Sequence, residues 1–152
     1  MSLIEEPTMV VWPETHYVFV EKVGPFMSTA GQAWQSAHSF VPALLKQNRI
    51  TGAMSLYKAG PKIYRAGFAL DATPLDLPEG LTYEKFRGGR YSRFLLTGSY
   101  SQLPQASGRV WEIVAEKGMA LRDDFAIESY RNDPGTTPEE QLITEILIPM
   151  AE

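Results

Sequence analysis

The sequence predicts an α+β fold: a tandem pseudo-twofold repeat of ββαββ modules, giving an eight-stranded antiparallel sheet with two helices on one side and a central cleft. Three observations point there. From Trp12 to Phe26 the chain reads strand, turn, a second strand over Tyr17 to Val23, and a Gly24-Pro25-Phe26 turn into helical periodicity. About seventy-four residues later Phe86, Tyr91 to Thr97 and Gly98-Ser99-Tyr100 repeat that order before a second helix. Each helical stretch is then followed by two runs with strand character. Helices gathered on one side of an antiparallel sheet bury the apolar stripe of each, and two half-domains meeting about a pseudo-twofold axis leave a cleft where a ligand fits. The chain is read as a single domain over 1–152, with internal repeats at about 8–70 and 82–150.

Taken in order, Thr8 to Trp12 is β-branched or apolar, Pro13 and Glu14 mark a turn, and Tyr17-Val18-Phe19-Val20 resumes a strand, so the two are expected to form an opening hairpin. Gly24-Pro25 breaks the second strand, and Ser28 or Thr29 is placed to cap a helix starting near Ala30. Ala30, Ala33, Trp34, Ala37, Val41, Leu44 and Leu45 fall on one helical face, but an interior Pro42 costs about 3 kcal/mol, so a break is expected near Val41. Ile50 to Tyr57 and Lys62 to Leu70 read as strands around an Ala59-Gly60-Pro61 turn, and Asp71 to Gly80, with Pro74 and Pro78, connects the halves. The second copy runs Thr82 to Phe86, a Gly88-Gly89 turn, and Tyr91 to Thr97. Pro104 then opens a helix with Leu103, Ser107, Val110, Trp111 and Val114 on one stripe and Gly118 at its C-terminal end. Phe125 to Arg131 and Leu142 to Ile148 supply the last two strands.

Composition bounds the chemistry. At 152 residues, with 44% hydrophobic and 21% charged residues, the chain can bury a core without crosslinks. The absence of cysteine removes disulfides, thiolate catalysis and cysteine-ligated zinc. With no apolar run of the ~18 to 20 residues that span a bilayer, and Glu5 and Glu6 where a signal peptide would be basic, a cytoplasmic location without membrane insertion is expected. A net charge of −4 without a basic run argues against gripping nucleic acid through its phosphates. His16 and His38 form no close ligand pair, and there is no G-x-S-x-G elbow, P-loop or G-x-G-x-x-G fingerprint, so no metal and no cofactor are expected.

Glu128-Ser129-Tyr130 is more informative. In a strand, Glu128 and Tyr130 share one surface and Ile127 and Ser129 the other. That surface is either ordinary solvent or, if Ile127 faces the helices, the wall of the cleft. Ser55 and Tyr57 hold the matching positions of the first copy, offset by about seventy-three residues, so two tyrosines and a single carboxylate would make an aromatic-walled pocket with one negative charge. Tyr17 and Tyr91 also match between copies and either extend that wall or pack in the core. Trp34 and Trp111 lie on the apolar helix stripes. Glu145 is either a second cleft carboxylate or an outward residue paired with a base such as Arg65.

Gly89-Arg90-Tyr91-Ser92-Arg93-Phe94 through Gly98-Ser99-Tyr100, then Glu128-Ser129-Tyr130-Arg131-Asn132-Asp133-Pro134 and Leu142 to Pro149 with its Thr144-Glu145-Ile146 core, resemble the GyrI-like small-molecule-binding family. That family includes a stand-alone gyrase-inhibitory protein and the effector-binding domains of AraC-type and multidrug-sensing transcription factors. The resemblance implies two modules around a central cleft and places the glutamate of the E-x-Y motif, here Glu128 with Tyr130 beside it, in the drug-binding site. No helix-turn-helix segment accompanies it, so a stand-alone binder of hydrophobic, aromatic or cationic compounds is expected, for drug or effector binding or sequestration. Family members that hydrolyse cyclopropane-bearing alkylators give the alternative, in which Glu128 is catalytic. A gyrase-interacting inhibitor is the second alternative, although Glu139-Glu140 and Asp123-Asp124 are only modest acidic pairs. A small-molecule ligand is thus the expected partner, with gyrase or a regulator as a possible protein partner and no direct nucleic-acid or membrane contact.

Overall fold

Proline and glycine placement sets the boundaries of the elements in this computed structural model, which describes residues 1–152. The first helical segment is split: α1 covers Phe26–Ser39 and α2 covers Val41–Leu45, with Pro42 in the first turn of α2 and Phe40 between them. Proline is tolerated at that position because its missing N–H would have no partner in a first turn anyway. The break expected at Val41 is therefore present, and it makes three α-helices rather than two. Helix α1 starts four residues earlier than the capping pattern suggests, directly after Pro25, and Ser28 and Thr29 lie inside it with hydroxyls donating back to the Pro25 carbonyl. The third helix, α3 (Leu103–Glu116), follows a 3-10 turn at Tyr100–Gln102 and ends before Gly118, whose φ of +58° supplies the left-handed residue that closes a helix C-terminus.

Eight strands complete the fold: β1 (Ser2–Trp12), β2 (Thr15–Val23), β3 (Ile50–Lys58), β4 (Ile63–Leu70), β5 (Thr82–Phe86), β6 (Gly89–Thr97), β7 (Ala126–Tyr130) and β8 (Ile143–Pro149). Their ladders are antiparallel, as an α+β fold of this kind requires. The chain divides into two compact units. An inserted unit, Pro13–Gly88, orders its strands β5-β2-β4-β3. An outer unit, Met1–Trp12 with Gly89–Glu152, orders them β1-β6-β8-β7.

The opening hairpin does not form. β1 pairs with β6, Trp12 opposite Gly89, while β2 takes β5 and β4 as neighbours. Tight two-residue hairpin turns need a positive φ at their first central residue, which Pro13 cannot adopt. The chain passes straight on instead. Strand β1 is anchored by charge as well: it shifts register between Ile4 and Thr8, where Glu5 pairs with Arg109 and Glu6 with Lys117 of the α3 region.

In the inserted unit α1 covers the sheet face formed by Val18, Val20, Ala66 and Phe68, with Ala33 and Ala37 buried beneath it. The outer unit buries Phe94, Leu96, Ile127, Ile146 and Leu147 in its sheet and Val110, Ile113 and Val114 on α3. No helix is long and apolar enough to cross a membrane.

Candidate functional site

Strand register decides which side chains can meet, because residues directly opposite in an antiparallel ladder project to the same face. In the outer unit Glu128 lies opposite Ile146 and Tyr130 opposite Thr144; Ile146 and Thr144 in turn lie opposite Phe94 and Leu96. These residues therefore share one face. Tyr130 donates its hydroxyl to Glu128 Oε1 at 3.1 Å, and the ring of Tyr100, from the turn entering α3, meets the Tyr130 ring edge-on at 5.3 Å between centroids. Tyr100 carried no signal in the sequence beyond its place in Gly98-Ser99-Tyr100, the counterpart of Gly24-Pro25-Phe26.

Glu128 is half-buried. Lost hydration pushes its pKa up from 4.5 to about 7, opposed only by the Tyr130 hydrogen bond that favours the charged form. No basic side chain pairs with it. Near neutral pH this carboxyl is divided between acid and anion, able to donate a proton or to attract a cation.

The matching positions in the inserted unit are closed. Ser55 and Tyr57 lie opposite Ala66 and Tyr64 on the α1 face. Trp34 Nε1–H donates to Ser55 Oγ at 3.1 Å and to the Tyr64 hydroxyl at 2.9 Å, and those two oxygens are 2.7 Å apart. Phe26 sets its ring against both Tyr57 and Tyr64. Ser55 is wholly buried, so its hydroxyl is satisfied within the protein.

Tyr17, Tyr91 and Glu145 lie on the opposite faces of their sheets. Tyr17 shares a face with Phe19 and Met54, stacks on Phe19, and donates to the Met54 carbonyl at 2.8 Å across side-chain-free Gly67. Tyr91 shares a face with Arg93; it donates to the Phe125 carbonyl at 3.0 Å under the Arg122 guanidinium. Burial raises the pKa of both phenols. Glu145, 8% exposed, pairs with Arg93 at 3.4 Å and, more distantly, Arg131 at 4.0 Å, rather than with Arg65, which holds Glu21 and Glu84. Glu128 and Glu145 are thus separated by the sheet itself.

An open groove of about 470 Å³ lies elsewhere in the outer unit, between Ser2, Thr97, Ser99, Gln102 and Glu139. Its carboxylates Glu139 and Glu140 are exposed, so a ligand held there gains little over water. The Glu128 face is the stronger candidate on electrostatic grounds. No group of three or more His, Asp or Glu side chains is arranged to hold a metal ion.

The family model for the GyrI-like small molecule binding domain matches residues 5–151. The chain belongs to that family. No curated protein matches it. Among solved structures, this GyrI-like chain is similar to the EcmrR C-terminal domain, with a TM-score of 0.79 and 15% identity over 96% of this chain and 97% of that one. SAV2435 bound to tetraphenylphosphonium gives a TM-score of 0.76 and 15% identity over 96% and 94%. A hydrolase encoded by lin2189 from Listeria innocua gives 0.64 and 12% over 97% and 92%. At these identities the likeness is one of fold.

Proposed function

We propose that this GyrI-like domain binds hydrophobic, aromatic or cationic small molecules, as a drug or effector binder or a sequestering protein, with Glu128 supplying charge and Tyr130 aromatic surface. The observation that carries the proposal is a half-buried carboxyl that no basic residue neutralises, hydrogen-bonded to Tyr130 and set beside two tyrosine rings. A ligand cation ~4 Å from the Glu128 carboxylate gains about 4 kcal/mol at an effective dielectric near 20, before desolvation is subtracted. Placement over an aromatic face adds ~0.5 to 2 kcal/mol. Neither contribution demands a particular outline, which suits a site that accepts several compounds. The binding of tetraphenylphosphonium by SAV2435, a protein of the same fold, makes that cation the natural first probe. In this proposal Ser55, Tyr57, Tyr17, Tyr91 and Glu145 hold the frame. Isothermal titration of wild type and Glu128→Gln with tetraphenylphosphonium tests it. Wild type is expected to bind at least tenfold more tightly; equal affinity removes Glu128 from the site.

The pKa of Glu128 favours a second reading, hydrolysis of a reactive compound with Glu128 as general base toward water. A base poised near pH 7 combines sufficient ionisation with useful proton affinity. Incubation with a cyclopropane-bearing alkylator separates the two: product that disappears in Glu128→Gln supports an enzyme, and tight binding without product supports a binder.

A further inference from the structure

Strand β1 is the last strand of its sheet, with β6 on one side and no strand on the other. Which of its backbone groups are free follows from β6. The Arg90 carbonyl accepts from the Met150 N–H at 2.9 Å and the Gly98 N–H donates to the Leu142 carbonyl at 2.8 Å, so even-numbered residues of β6 turn their backbone groups to the β8 side. Tyr91 and Arg93 therefore turn theirs toward β1, where they meet Val10 and Thr8. Met9 and Val11 are left with N–H and C=O groups pointing away from the sheet. Pro7 and Pro13, three residues either side of Val10, have no N–H and close this run at both ends. The side chains fit the same reading. Thr8 to Trp12 is uncharged in a chain of net charge −4, is rich in β-branched residues, and leaves Val11 77% and Met9 46% exposed on one face. Edge strands are normally guarded by charge. β5, the last strand of the inserted unit, carries Glu84 and Lys85, whereas the charges of β1, Glu5 and Glu6, lie before Pro7 and are paired with Arg109 and Lys117.

We propose that two molecules of this chain associate by pairing β1 with β1, antiparallel about a two-fold axis through Val10, so that Met9 of each lies opposite the partner's Val11. Every free donor of the run then finds an acceptor, and the exposed Met9 and Val11 side chains of each molecule cover those of the other. A second copy fits because the run is its own complement: reversal about Val10 exchanges Met9 with Val11 and Pro7 with Pro13. No like charges meet within it. A five-residue ladder buries less than the ~1,200 Å² of a stable complex, so the dimer is weak, with a dissociation constant on the order of 100 µM. Glu128 on β7 lies at the far end of the outer unit's strand order, and the inference does not depend on what binds there.

The chain has no cysteine, so Val10→Cys introduces a single thiol. In the proposed register the two Val10 residues form a non-hydrogen-bonded pair with Cα atoms ~4.5 Å apart, within reach of a disulfide. Mild oxidation at ~200 µM protein is expected to give about tenfold more covalent dimer than Leu75→Cys, a control at a position 95% exposed in the inserted unit. In sedimentation velocity, wild type should pass from monomer toward dimer between ~10 µM and ~1 mM. Val11→Lys charges the edge, and Val11→Pro removes an N–H that β6 does not use. Each should weaken association about tenfold or more while the circular dichroism spectrum is unchanged. A wild type that stays monomeric at ~1 mM leaves the edge to a strand of some other chain and overturns the proposal. So does a Val10→Cys yield no higher than that of Leu75→Cys, or association that both Val11 variants retain.

Discussion

Replacing Glu128 with glutamine should stabilise the protein in a pH-dependent way. In the unfolded chain the carboxyl titrates near 4.5, and in the native site near 7. Below pH 4.5 both states hold the proton and the site costs nothing. As the pH rises through 4.5 the unfolded chain releases its proton while the native site does not, so stability falls; the loss is complete once the pH has passed 7. The gap between the two values, at ~1.4 kcal/mol per unit, makes about 3 kcal/mol in full, of which about 2 kcal/mol develops between pH 5.5 and 8.5. Glutamine fills the same space, can bond Tyr130 and does not titrate. The assay is urea unfolding of both proteins by circular dichroism across that range. With a slope of ~2 kcal/mol per molar urea, the wild-type midpoint should fall by about 1 M relative to Glu128→Gln as the pH rises. All other titrating groups are common to the two chains and cancel in the difference. Midpoints that move in parallel would refute the claim that lost hydration raises the pKa of this carboxyl.

Three other perturbations follow from the same geometry. The affinity of wild type for tetraphenylphosphonium should rise about tenfold between pH 6 and 8 as Glu128 ionises, and that of Glu128→Gln should stay flat in the same titration. Ser55→Ala removes a buried acceptor shared by Trp34 and Tyr64, and should cost about 1 to 2 kcal/mol in chemical unfolding with no change in phosphonium affinity. Gly67→Ala should cost about 3 kcal/mol or more, seen as a large drop in the melting temperature. Its Cβ would stand 2.0 Å from the Val18 carbonyl oxygen and 2.8 Å from Phe19 Cβ, in the lane that Tyr17 crosses to reach Met54.

Local signals were legible where one residue type decides the backbone. Pro42 announced the helix break and Gly118 the end of α3, because each restricts or frees dihedrals whatever surrounds it. Strand partnership was not legible, since it is settled by residues far apart in the chain. Trp12 faces Gly89, and Thr15 to Phe19 face Thr82 to Phe86; no periodicity within β1 or β2 records that choice. The Pro13 turn did contain the warning that the obvious hairpin was sterically poor. Glu128 and Tyr130 could be placed together because their spacing of two fixes a common face within one strand, and the two side chains are hydrogen-bonded. Tyr17 and Tyr91 match between the copies just as well, yet they lie on the other faces and donate to backbone carbonyls, because a repeat also reproduces core positions.

Equivalence between the copies is informative mainly where it fails, and it fails at two linked places. Exchanging serine for glutamate alone would set a carboxyl into the closed arrangement of the inserted unit, against a tyrosine and an indole N–H that already satisfy each other. Threonine in place of tyrosine on the neighbouring strand removes that competitor and leaves its own hydroxyl unmet. The two changes make sense together. Glu128 keeps a single tyrosine donor and a pKa raised by lost hydration.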